Sequence, residues 1–236
     1  QAIRMHWGNA KVSGESNGEQ VFRTTEGFAA VWHLGDNLED ATANNLDGVN
    51  RPDKPTVNTT GIIGDAQEFG VNQILVIRPP GAKSGRRVTC MPSGNADRTM
   101  SAWVNPTSFE GRNWAQASIG GWGEPERGQK PNMGLSYFTM TGRGQPRFHL
   151  YGFDPRCASL LPRNEWRHVA LAVSGDMVRF FVDGILERTI NNNGEMVSKL
   201  GTLRTPMSTP VDLGDHGNGR GPFNGALDEV RFESVA

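Results

Sequence analysis

The chain has 236 residues, with 24 Lys and Arg set against 25 Asp and Glu for a formal charge of −1. That balance, without a basic stripe, argues against a nucleic-acid binder, and no apolar run approaches the roughly 20 residues that cross a bilayer as a helix. Thirty Gly and 14 Pro beside only 36% hydrophobic residues fit a turn-rich β protein with strands joined by long loops, at a length one large sandwich can fill.

The opening Gln1–Trp7 has no signal-peptide pattern and reads as the interior of a longer chain. Ala2–Trp7 is strand-like, and the polar segment through Gly18 is rich in Ser, Gly and Asn, as a linker would be. Residues 1–23 are therefore expected to be a tail from a preceding domain, and 24–236 one domain. Phe28–Leu34 is an apolar strand with Trp32 in the core, followed by the Asp/Asn-dense loop Gly35–Val49. Gly61–Phe69, Gln73–Ile77 and Arg87–Cys90 contain short strands. In Arg98–Val104, Met100, Ala102 and Val104 alternate with Thr99, Ser101 and Trp103. Pro106–Trp114 is a loop, Ala115–Gly121 a strand, and Glu124–Pro131 a polar insertion. Gly134–Met140 and Arg147–Tyr151 form a pair around a Gly-rich turn, and the long loop Gly152–Arg163 follows.

Asn164–Gly184, N-E-W-R-H-V-A-L-A-V-S-G-D-M-V-R-F-F-V-D-G, organises the rest. Trp166–Val173 and Met177–Val182 alternate with a period of two around Ser174-Gly175-Asp176, which is a hairpin signature. Both faces are largely apolar, which places this hairpin centrally in a sheet. Ile185–Ile190 is the next strand, and Val211–Gly214 and Ala226–Glu233 close the domain. Cys90 and Cys157 are compatible with one disulfide or with two unpaired thiols.

The run N-E-W-R-H-V-A-L-A-V…F-F-V-D-G resembles the central hairpin of bacterial LamG-like jelly-roll domains of the concanavalin A-like superfamily. Three further pieces agree in order: Ala30–Gly35 with Asp40–Gly48, Gly61–Phe69, and Pro222–Phe232. The resemblance runs from Phe28 to the C-terminus. It implies an all-β fold, a two-sheet antiparallel β-sandwich, and, taken with loop aromatics and the lack of a catalytic acid pair, a non-catalytic module of an extracellular or cell-surface bacterial protein, with the periplasm as the alternative location. It also implies a structural calcium ion. Hard cations take carboxylate, amide and carbonyl oxygens. Asp40, Asn45 and Asp47 would supply them from the loop and Asp228 from the last strand, clamping the two ends of the domain together. The dull alternative is that these Asx residues make side-chain-to-backbone turns.

Sugars pack C–H faces on aromatic rings and direct hydroxyls to planar polar groups. Trp114, Trp122 and Tyr151 are candidate platforms, with Arg112, Glu124, His149 and Asp154 as polar partners. Under the family topology, strands Ala115–Gly121, Gly134–Met140 and Arg147–Tyr151 would be neighbours on one concave sheet. No acid pair is spaced for glycoside hydrolysis on one strand: Glu124 and Glu126 flank Pro125 in loop-like surroundings. The expectation is a monomeric binding domain within a multidomain chain, its partner a glycan or, alternatively, a surface protein for which it is an adhesive spacer. A degrading enzyme would need clustered carboxyls, or a Tyr/His pair opposite an Arg on the concave sheet.

Overall fold

A computed structural model of the protein describes residues 17–82, 87–109, 117–124, 135–150, 153–197, 199–215 and 221–236. The expected strand at Ala2–Trp7 and most of the 124–131 insertion lie outside these. The strands in chain order are β1 (Phe28–Trp32), β2 (Gly48–Asn50), β3 (Val57–Thr60), β4 (Asp65–Phe69), β5 (Leu75–Ile77), β6 (Arg87–Val88), β7 (Arg98–Ser108), β8 (Ser118–Gly123) and β9 (Leu135–Met140). They continue as β10 (Pro146–His149), β11 (Arg156–Cys157), β12 (Arg167–Ser174), β13 (Met177–Val182), β14 (Ile185–Glu187), β15 (Thr189–Ile190), β16 (Thr209–Leu213) and β17 (Asn224–Glu233). Among the described residues helix is confined to single turns such as Gly18–Val21, where Asn17 Oδ1 accepts from Gln20 N at 3.1 Å.

Two antiparallel sheets form a sandwich. One runs β14-β13-β12-β7-β17-β4-β3 with β1 also on β17; the other runs β15-β11-β10-β9-β8-β16-β5-β2 with β6 on β16. The period of two sorts each strand. Met100, Ala102 and Val104 of β7, Val169, Leu171 and Val173 of β12, and Leu227, Val230 and Phe232 of β17 enter the core from the first sheet. Trp122 of β8, Phe138 and Met140 of β9, Phe148 of β10 and Val211 and Leu213 of β16 enter from the second.

Several boundaries differ from the sequence expectation for identifiable reasons. The hairpin β12–β13 is internal, but β14 is the edge beside it; the middle of that sheet is the long pair β7–β17. Strand β7 continues through Pro106 to Ser108, where a loop was expected. Pro106 stands opposite Gly225 at a register shift, where a Cβ on Gly225 would fall 2.8 Å from Pro106 Cα. Ile185–Ile190 is two strands: β14 pairs with β13 in one sheet and β15 with β11 in the other, so the chain changes layers at Arg188. The predicted loops hid β2 and β11, which are too short to show a period. Cys90 is exposed and Cys157 buried, and both are free thiols.

One side of β17 is shared, β4 pairing at Gly225–Leu227 and β1 at Val230–Glu233. Between them the strand bulges, with Glu229 at φ 50°. His33 Nδ1 lies 2.6 Å from Glu229 Oε1, and Arg231 donates to Glu229 Oε2 at 2.9 Å. The hydrogen bond to Glu229 raises the His33 pKa. Burial pushes the Glu229 carboxyl up, but the bonds from His33 and Arg231 outweigh it and leave the value lowered. His33's contribution to stability is therefore complete below the ordinary histidine value of about 6.5 and is lost as pH rises through its raised value. Glu229's share is present above about 4.3 and lost as pH falls through its depressed value. Melting curves across this range should show a smaller alkaline loss for His33→Gln than for the parent; superimposable pH profiles would remove the pair as a contributor.

Candidate functional site

Residues directly opposed on antiparallel strands share a face. Two such rows cross the outer face of the second sheet. The first is Arg156–Arg147–Thr139–Ser118 over β11, β10, β9 and β8. The second is His149–Tyr137–Gly121–Asp212 over β10, β9, β8 and β16. Their neighbours along each strand, Phe138, Phe148, Trp122 and Val211, point into the core. The sandwich therefore turns polar side chains outward here, yet buries them: Arg147 is 6% exposed, His149 3%, Tyr137 2% and Asp212 1%.

Asp154, from the loop after β10, organises the first row. Its Oδ1 accepts from Leu150 N at 2.8 Å, and its Oδ2 takes His149 Nδ1 at 3.1 Å and Arg147 Nη1 at 3.5 Å. Burial pushes the Asp154 pKa up, but His149 and Arg147 outweigh it and hold it below the usual carboxylate value. Burial draws the Arg147 guanidinium down to about 10, against the pull of Asp154. Arg147 Nε donates to Thr139 Oγ1 at 3.0 Å. In the second row the Tyr137 ring lies across Gly121, where a Cβ would meet its Cγ at 2.8 Å, and its hydroxyl reaches Asp212 Oδ2 at 3.4 Å.

The expected ligand set is split by this geometry. His149 and Asp154 come together, in hydrogen-bond contact. Glu124 sits past the end of β8, ion-paired with Arg87 at 2.7 Å on the surface. Trp122 is corrected from a sugar platform to a core residue: it is 0% exposed, its Nε1 donates to Pro92 O at 2.9 Å, and its ring packs on Phe232 beneath the Arg98 guanidinium. Its strand parity decides this, since Val211, opposite Trp122, also faces the core. Arg112, Trp114 and Tyr151 lie outside the described residues. Sequence reasoning passed over Arg147, although it shares a face with His149 at i, i+2. It also passed over Tyr137, Thr139 and Asp212, which only the pairing register brings alongside.

The calcium expectation can be tested against the donors. Asp40 Oδ1 accepts from Val31 N and Thr42 N at 2.9 and 3.0 Å, and Oδ2 from Thr42 Oγ1 and Leu46 N at 2.8 and 3.0 Å. Asp47 Oδ1 accepts from Asp40 N at 3.0 Å, and the Asn45 amide donates to Ala43 O at 2.9 Å. N–H and O–H groups thus already occupy the positions around the Asp40 carboxylate where a cation would sit, and the loop does not fit a calcium ion. Asp228 is fully buried and caps a different turn: its Oδ2 accepts from Ile62 N and Ile63 N at 2.8 and 3.1 Å, while Oδ1 has no partner. Among the described residues no three His, Cys, Asp or Glu side chains converge as a metal-ligand group.

A surface pocket of about 640 Å³ adjoins the Asp40 loop, lined in part by Phe22, His33, Glu39 and Asn45. Of its two rings, Phe22 is engaged by Phe28, His33 and Arg231, and His33 by Glu229.

Comparison with known proteins places the fold. The family model for laminin G-like domains, of the concanavalin A-like lectin/glucanases superfamily, matches residues 81–236. The chain belongs to this superfamily. Among solved structures, domain 4 of AbnA, a GH43 extracellular arabinanase from Geobacillus stearothermophilus in complex with arabinotriose, superimposes with a TM-score of 0.61. The identity is 17%, over 88% of this chain and 92% of that one. Trypanosoma rangeli sialidase matches with a TM-score of 0.53 at 16% identity, over 89% of this chain but only 31% of the sialidase. Botulinum neurotoxin type C, whose cell entry depends on interaction with two ganglioside molecules, matches with a TM-score of 0.50 at 9% identity, over 89% and 48%. At these identities the likeness is one of fold. No curated protein matches by sequence. The superfamily holds both lectins and glucanases, so membership does not choose between them.

For the Asp40 loop, chelator should leave the melting temperature unchanged, while Asp40→Ala, which orphans four donors, should lower stability by about 3–5 kcal/mol. A chelator-induced fall in melting temperature would restore a metal.

Proposed function

We propose that this laminin G-like domain is a non-catalytic glycan-binding module of an extracellular or cell-surface protein. Its contact face is the outer surface of the second sheet over β8, β9, β10 and β16. One observation carries the reading: hydroxyl, imidazole, guanidinium and carboxylate groups stand in two cross-strand rows on this one face, the mixed donors and acceptors that sugar hydroxyls need. Asp154 and Asp212 are each engaged by neighbouring side chains, which suits holding a ligand more than shuttling protons. The fold match to an arabinanase domain solved with arabinotriose adds support.

Affinity electrophoresis through gels containing soluble polysaccharides tests the proposal. The parent should be retarded by at least one glycan, and Tyr137→Phe, which removes the hydroxyl but keeps the ring, should weaken retention about tenfold. No retardation by any glycan would reject the reading.

Cleavage is a second reading, favoured by Tyr137 standing directly opposite His149 with Arg147 two residues along β10. The expected requirement was a Tyr/His pair opposite an Arg; here the pair is present, and Arg147 stands beside it on β10, opposite Thr139. Release of reducing ends from a retained polysaccharide, lost in Tyr137→Phe, would replace binding alone; an unchanged polymer would leave the binding reading in place.

A further inference from the structure

Among the described residues, the row Arg156–Arg147–Thr139–Ser118 has more positive charge and more donors than its neighbours satisfy. Of the five guanidinium N–H donors of Arg147, Nε is taken by Thr139 and Nη1 reaches Asp154 at 3.5 Å; the remainder have no acceptor among the described residues. That carboxylate is divided, since Asp154 also holds His149 and the Leu150 amide. Arg156, directly opposite Arg147, donates to Asn192 Oδ1, but its Nε is buried without an acceptor. At the far end of the row, Ser118 Oγ is likewise buried and unpartnered. Arg143, exposed on the turn before β10, lies close enough for its like charge to act on Arg156.

Buried cations in folded proteins are paired, and unpaired donors away from water are costly. A ligand anion would supply the acceptors that the two adjacent arginines, Arg147 and Arg156, lack. Two guanidinium groups on adjacent strands offer forked donors matched to a carboxylate or sulfate oxygen pair.

We infer that this row seats an anionic substituent of the bound glycan, a carboxylate or sulfate carried on the sugar, and that the domain selects acidic over neutral polysaccharides. The inference rests on the glycan-binding reading above, and its test separates the two. Retention of the 236-residue chain is compared on polygalacturonate, which carries carboxylates, on a carrageenan, which carries sulfate esters, and on unsubstituted arabinan and β-glucan. One of the anionic polymers should be retained at least about tenfold more tightly than either neutral one, and which of the two identifies the group. Arg147→Gln and the half-buried Arg156→Gln should each lose about tenfold, while Arg167→Gln on the other sheet should bind as the parent does. Because Arg147 is buried, its variant is read beside its melting temperature; the anionic polymer should raise that temperature in the parent and not in Arg147→Gln. Retention of a neutral polymer with no preference for the anionic ones overturns the inference and leaves glycan binding standing. So does parent-like binding by Arg156→Gln, or equal loss in Arg167→Gln. Failure to retain any of the four polymers overturns both.

Discussion

The pairing of β17 with β7 is the constraint on which the architecture depends. These are the two longest strands, of 10 and 11 residues, and they form the middle of the first sheet. Together they send Met100, Ala102, Val104, Leu227, Val230 and Phe232 into the core. The last strand of the chain thereby becomes the support for the first, because β1 can pair only where β17 leaves an edge free. That edge passes from β4 to β1 at a bulge, and the two acids of the bulge serve the junction. Asp228 receives the amides of the Ile62–Ile63 turn, and Glu229 receives His33 and Arg231. Adjacent carboxylates repel, so each must find its own donors. Asp228 finds backbone and its pKa remains raised by burial; Glu229 finds charged side chains and its pKa is lowered.

The second sheet divides its labour by face. Its inner side completes the core through Trp122, Phe138, Phe148 and Leu213, which frees the alternate positions for polar work. An outward polar residue on an ordinary sandwich strand is solvated. Here Thr139, Ser118, Arg147 and Asp212 are buried, so each needs a partner within the protein or a ligand. Tyr137 and His149 find acids in Asp212 and Asp154. Arg147 is only partly answered, and that imbalance gives the face its chemical character.

Candidate site residues were legible in proportion to how local their roles are. His149 and Asp154 lie close in sequence and do meet. The order β8-β9-β10 was also expected, from the family topology that the resemblance implies. Trp122 was misjudged because β8 contains the Gly120-Gly121 pair and a register shift, which obscure the alternation that would have assigned it to the core. The loop Asp40–Gly48 illustrates a different ambiguity. An Asp whose oxygens accept Val31, Thr42 and Leu46 has the same sequence surroundings as one that ligates a cation. Only the direction of the N–H groups separates them.

What the sequence determined alone was the all-β class, the hairpin β12–β13 and the alternation of β7 and β12, because side-chain alternation is a property of each strand by itself; in β17 the bulge breaks the period between Leu227 and Val230. Only the tertiary structure decided which strands stand side by side. Pairing register is set by packing between distant segments: Tyr137 reaches Asp212 across 75 positions, and Glu229 meets His33 across 196. A binding face made of rows that run across strands exists only once that register has formed.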